Sequence, residues 1–167
     1  GAESANCPIG IASFGNITAL STSGRSIPFD GDRDGFVLGE GAAVFILEEW
    51  TAAADRGATI LAEILGAGSN ADAHHITAPS PGGVGAIACM RLALDDAGLS
   101  PADIVQINAH GTSTPLNDAA EAAAVTAVFG ERGVPITSTK GVTGHALGAA
   151  GALELAAVLG SFEHRAI

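Results

Sequence analysis

The chain has 167 residues, with 18 acidic and 7 basic side chains and a formal net charge of −11. That balance excludes nucleic acid and anionic membrane as partners, because either needs clustered Lys and Arg. Apolar residues make up 47% of the chain and the mean hydropathy is +0.37, enough for one sizeable core and too much for a disordered or fibrous polypeptide.

No apolar run reaches the roughly 18 residues of a membrane span, and the first residues lack the basic and apolar parts of a signal peptide. The expected compartment is the cytoplasm. Cys7 and Cys89 are too few for a disulfide framework and are expected as thiols. Because the chain opens at Gly1 and its only methionine is Met90, it reads as a piece of a longer polypeptide.

After a loop-rich opening, Ala42 to Glu48 reads as a buried strand, Trp50 to Arg56 as a short helix stopped by Gly57, and Ile60 to Gly66 as another strand. Gly68 to Gly83 reads as a loop. Val84 to Ala97 carries apolar residues at helical spacing up to Gly98, and Ser100-Pro101-Ala102-Asp103 has the form of a capped helical turn. Ile104 to Ala109 follows as a strand. Pro115 to Phe129 is an alanine-rich helix closed by Gly130, Pro135 to Thr139 a short strand, and Leu147 to Phe162 a long helix. The class is α/β, in one domain, since no internal repeat and no linker divides the chain.

Two motif resemblances fail on spacing. Phe29 to Phe36 begins like a calcium loop, but the position that needs a bidentate glutamate holds Gly41, and a turn tied by Arg33 to nearby carboxylates is the better reading. The glycines at Gly66-Ala67-Gly68 and at Gly141, Gly144, Gly148 and Gly151 complete neither nucleotide-loop pattern. Gly148 and Gly151 share one helical face and would admit another element closely.

The histidines divide by setting. His74 and His75 are adjacent in a loop and His164 lies near the end; all three read as ordinary loop or surface residues. His110 ends a strand and precedes the hydroxyl-rich turn Gly111-Thr112-Ser113-Thr114-Pro115, at the sheet edge where α/β sites assemble. His145 follows a second strand and a glycine-rich turn and stands at the mouth of the last helix. A histidine there has its charged form disfavoured by the helix dipole and can offer an N–H to a developing oxyanion. Lys140 is the single lysine of the chain, and Glu154, on the following helix, is its expected partner.

At these residues a family resemblance emerges. Asn108-Ala109-His110-Gly111-Thr112-Ser113-Thr114-Pro115 with Asp118, and Ser138-Thr139-Lys140-Gly141-Val142-Thr143-Gly144-His145 with Gly148 to Ala152, resemble the two histidine motifs of β-ketoacyl-acyl-carrier-protein synthases. Pro28-Phe29-Asp30 and Arg33 to Gly41 resemble a third segment. The resemblance implies the C-terminal half of a thiolase-like α/β fold, a mixed sheet covered by helices. A histidine in both motifs points to decarboxylating elongation enzymes, and Ser113 favours the free-standing synthase II type; aromatic polyketide ketosynthases stay open as an alternative.

By this resemblance His110 and His145 hydrogen-bond a malonyl thioester oxygen and stabilise its enolate, Lys140 and Glu154 form the supporting ion pair, and Thr112 and Thr114 hydrogen-bond the phosphopantetheine arm. Acyl carrier protein is the implied partner, a homodimer the implied assembly of the full-length enzyme, and no cofactor or metal is implied beyond the phosphopantetheine that carries the substrate. The family's nucleophilic cysteine lies in an earlier half, and neither Cys7 nor Cys89 stands in its motif. Two rivals are a non-catalytic subunit resembling a chain-length factor, against which both retained histidines argue, and a nucleotide-binding domain, against which the missing phosphate loop argues.

Overall fold

Tight backbone approaches govern this chain because its buried apolar residues are small: Ala109, Ala124, Ala146 and Ala149 are each 2% exposed or less. The computed structural model describes residues 1–167. The first elements are β1 (Ala2–Glu3) and α1 (Pro8–Asn16), then β2 (Gly41–Ala42), which pairs antiparallel with β1. The opening expected as loop is therefore partly helical. Gly10 and Gly15 disguise α1 as breakers, whereas Pro8 in its first turn is a favourable start, its ring setting φ where the backbone N–H needs no partner.

α2 (Trp50–Asp55), α3 (Val84–Ala97), β3 (Ile107–Asn108), α4 (Pro115–Phe129), β4 (Ile136–Thr137), α5 (Lys140–Thr143) and α6 (Ala150–His164) complete the order. β3 and β4 pair in parallel, Ile107 against Ile136 and Asn108 against Thr137. The helix stops behave as the sequence indicates: Gly98 ends α3 at φ +66, and the Thr114 side chain accepts the Asn117 N–H to cap α4. Ser100 and Asp103 form a capping box around the 3-10 turn Pro101–Asp103.

Two expected strands are not formed. Ala42 to Glu48 contributes only its first residue to a ladder, Ile60 to Gly66 contributes none, and Val44, Ile46, Leu47, Leu61 and Ile64 remain exposed. A strand needs a hydrogen-bonded neighbour, and no ladder in this chain extends past Ala42 into those segments. The last helix begins later than its apolar pattern, Leu147–Ala149 being a separate 3-10 turn, and Lys140–Thr143, where a strand end and a glycine-rich turn were expected, is one helical turn.

The glycine clusters serve packing. A Cβ on Gly66 would lie 2.5 Å from Ala97 N and one on Gly68 2.2 Å from Cys89 O, so this segment rests directly on α3. Of the pair expected on the last helix, Gly148 lies in the 3-10 turn and approaches Glu3, while Gly151 on α6 faces open space, so only Gly148 admits a neighbour. Gly39 is pressed against the turn before His145, where a Cβ would sit 2.2 Å from the Thr143 carbonyl oxygen. Isolated bridges Leu20–Phe36 and Leu38–His145 run through the same stretch, so the segment around residues 35–39 is the rail on which His145 is mounted. Gly39→Ala should lower unfolding stability by about 1–3 kcal/mol in chemical denaturation, since backbone must move to admit the methyl.

Candidate functional site at the paired histidines

The largest fully buried side chains are all polar: Lys140, Asp118 and Ser113. Buried polar groups persist only when their hydrogen bonds are satisfied, so these three mark where the chain is most constrained.

β3 delivers His110 to a turn held from two sides. Glu121, one helical side chain of α4, accepts the backbone N–H groups of His110 and Gly111, both at 2.7 Å. Ser138, following β4, donates its hydroxyl to Gly111 O at 2.8 Å. Gly111 has φ +39 and a Cβ there would fall 2.6 Å from Ser138 Cβ, so only glycine fits between the two strand ends. Ser113 adopts φ +66, a left-handed conformation, and is compensated by two bonds: its hydroxyl oxygen accepts the Ile27 N–H at 3.0 Å and its carbonyl the Gly35 N–H at 3.0 Å.

Those bonds fasten the third motif segment to α4. Asp118, 1% exposed, accepts the Phe29 N–H at 2.8 Å and lies 3.6 Å from Arg33 Nε. Arg33 also donates to the carbonyls of Asp30, Thr114 and Pro115. Its carboxylate partner is thus on α4 rather than beside it in the turn. Asp34 instead accepts from Ser21, Thr22 and Ser23, and these donors hold its carboxyl well below the usual range.

Lys140, the first residue of α5, is 1% exposed. Its ammonium donates to Glu154 Oε1 on α6, to the His110 carbonyl oxygen at 2.6 Å, and to His110 Nδ1 at 3.3 Å. An ammonium has no acceptor capacity, so His110 Nδ1 must be the bare nitrogen and the ring proton sits on Nε2. His145 reaches the same tautomer by another route. Its backbone N–H donates to Val37 O at 2.7 Å, its carbonyl accepts the Gly39 N–H at 3.0 Å, and its Nδ1 accepts the Leu147 N–H at 3.3 Å.

The two imidazoles stand edge to face, with centroids 5.1 Å apart at 85°. Burial and then the Lys140 ammonium hold His110 below its ordinary value of 6.5. Burial, followed by His110 and Lys140, lowers His145 to about 4. Both rings are accordingly neutral donors through Nε2–H at neutral pH.

Four expected residues, His110, His145, Lys140 and Glu154, therefore meet in one network. Thr112 and Thr114 lie on the turn after His110, their hydroxyls 2.9 Å apart, with Thr114 also capping α4. The other histidines stand apart: His75 Nδ1 accepts the Thr77 and Ala78 N–H groups within its own loop, and His164 is the exposed last residue of α6. Cys7 and Cys89 are free thiols, Cys89 donating to Gly68 O at 3.2 Å. Sequence reading missed Glu121 and gave Ser138 a place in a motif but no role. Glu121 lies in the second turn of α4, outside the turn it holds, and nothing in its local pattern separates it from a solvated acid.

A family model described as beta-ketoacyl synthase, C-terminal domain, matches residues 61–167, and one described as its N-terminal domain matches residues 1–53. The chain belongs to the beta-ketoacyl synthase family. It is 49% identical over 162 residues to a 3-oxoacyl-[acyl-carrier-protein] synthase 2 of Vibrio cholerae, covering 92% of this chain and 39% of that relative. A mitochondrial 3-oxoacyl-[acyl-carrier-protein] synthase of Arabidopsis thaliana is 49% identical over 164 residues, covering 92% of this chain and 36% of the relative. Among solved structures, a type II polyketide ketosynthase in complex with its acyl-carrier protein superposes with a TM-score of 0.92 at 41% identity, over 96% of this chain and 41% of that one. The fold is thus thiolase-like α/β, and the chain spans about two fifths of the length of the curated relatives it matches.

Glu154→Ala leaves the buried Lys140 ammonium without its counter-charge and should cost about 3–5 kcal/mol in urea unfolding, against at most about 0.5 kcal/mol for the exposed Glu163→Ala. Acid should weaken the fold through the histidines. Both titrate lower when folded than the ordinary 6.5, so the unfolded chain binds their protons first as pH falls. Stability should be full above about pH 6.5 and decline towards pH 4, with a shallower slope in His145→Asn.

Proposed function

We propose that this chain carries the decarboxylation machinery of a β-ketoacyl-acyl-carrier-protein synthase of fatty-acid elongation. The observation that supports it best is the pair of neutral imidazoles 5.1 Å apart, each with Nδ1 engaged as an acceptor and Nε2–H left as a donor.

The substrate is a malonyl thioester on the phosphopantetheine arm of acyl carrier protein. As the bond between the methylene carbon and the carboxylate breaks, carbon dioxide leaves and the electron pair moves onto the thioester oxygen. Negative charge grows at that oxygen, and two N–H donors fixed beforehand stabilise it without reorganising. The enolate carbon then attacks the carbonyl of an acyl thioester and expels its sulfur as a thiolate. Lys140 keeps the His110 proton on Nε2, Glu154 balances the lysine charge, and the Thr112 and Thr114 hydroxyls receive the pantetheine amides.

The sulfur nucleophile that holds the acyl group is not assigned to Cys7 or Cys89, which bond or pack locally. Acyl loading therefore needs residues beyond this sequence. No helix is long and apolar enough to cross a membrane; a cytoplasmic location is part of this proposal. The ketosynthase neighbour bound to its carrier protein supports acyl carrier protein as the partner here.

The test uses a polypeptide of the relatives' full length that includes this sequence. His110→Ala and His145→Ala should each slow carbon dioxide release from malonyl carrier protein by about 100- to 1000-fold, the worth of about 2.7–4 kcal/mol for one oxyanion donor. Transfer of a radiolabelled acyl group to the enzyme should change far less. The 167-residue chain alone should give no condensation product; robust condensation by it, or unchanged carbon dioxide release in both variants, would refute the assignment.

A further inference from the structure

A row of edge-to-face rings runs from α1 to the paired histidines. Phe14 meets Phe36 with centroids 5.3 Å apart at 79°, and Phe36 meets His145 at 5.3 Å and 73°. Phe36 is the anchored member of the row. It is 6% exposed, its N–H donates to Ala19 O at 3.0 Å, and its carbonyl accepts the Ser21 N–H at 2.9 Å. These bonds fix the backbone from which the ring projects towards His145.

His145 needs such an anchor. The single hydrogen bond that sets its tautomer, Leu147 N–H to Nδ1, is 3.3 Å long, beyond the usual 2.7–3.2 Å range, and leaves the ring able to turn about its last torsion. The His110 Nδ1 contact is equally long at 3.3 Å, but its partner is a buried ammonium that is itself held by Glu154 and by the His110 carbonyl oxygen. A stationary aromatic ring packed across the imidazole supplies the missing restraint and keeps water from that side.

We propose that Phe36 is the positioning residue of His145, fixing its ring so that Nδ1 stays on the Leu147 N–H and Nε2–H stays free for substrate. The bearing of this on catalysis rests on the decarboxylation reading above. The titratable and charged groups that face His145 are His110, from the turn after β3, and Lys140, from α5; Glu154 on α6 pairs with Lys140, and Glu121 and Asp118 on α4 act on the His110 side. Replacing Phe36 leaves all of these in place, so a change in His145 reports the ring alone.

The test is an NMR titration of the His145 ring in the 167-residue chain, comparing the parent with Phe36→Leu and Phe14→Leu. Phe36→Met replaces Phe36→Leu where the latter does not fold. Loss of Phe36 should admit water to the ring and raise the His145 midpoint by about half a unit or more. In Phe14→Leu, which removes a similar ring that does not touch the imidazole, the midpoint should match the parent. A parent-like midpoint in the Phe36 variants, or an equal rise in Phe14→Leu, overturns the proposal. The titration needs no substrate, so it stands apart from the decarboxylation assay: unchanged carbon dioxide release in the histidine variants would remove the function and leave the Phe36 result intact.

Discussion

A buried ammonium with every proton committed is the constraint on which the rest of this molecule depends. Lys140 sits 1% exposed and spends its donors on Glu154, the His110 carbonyl and His110 Nδ1. Isolated in the interior, such a charge would cost several kcal/mol. Its partners come from two separate parts of the chain, so satisfying it requires the end of β3 and the second turn of α6 to converge on the start of α5. The site and the core are the same object here, which is why the bulkiest fully buried side chains are polar.

The two imidazoles arrive at one protonation state by unlike means. His110 is read by a side-chain cation that can only donate, whereas His145 is read by a backbone N–H and steadied by Phe36. Both solutions place the proton on Nε2, and both surroundings disfavour a second proton. A charged ring would have to lie beside Lys140 and beside the other histidine, so neutrality follows from the same packing that sets direction. The arrangement suits the proposed step, in which negative charge appears on one substrate oxygen.

Much of this was legible in the sequence, and the reasons are local. The strand-to-turn passages before His110 and His145, the lone Lys140, and the helix stops at Gly98 and Gly130 each leave a signal within a few residues. Glu121 leaves none, and Phe36 leaves only its place in a motif-like segment, because an acid on a helix and an aromatic in a loop acquire a role only when distant segments meet them. The strands expected at Ala42 to Glu48 and Ile60 to Gly66 failed for a related reason: apolar pattern measures the tendency to be covered, and a ladder needs a neighbour that the pattern does not name. Gly10 and Gly15 hid α1 from the reverse direction, as glycine lowers helix propensity without forbidding a helix.

The claim that both histidines present Nε2–H is tested most directly by long-range proton–nitrogen NMR of the ring nitrogens at neutral pH. The account predicts two neutral imidazoles, each with a protonated Nε2 and a bare Nδ1. A proton on Nδ1 of either ring, or a charged ring at pH 7, would contradict it.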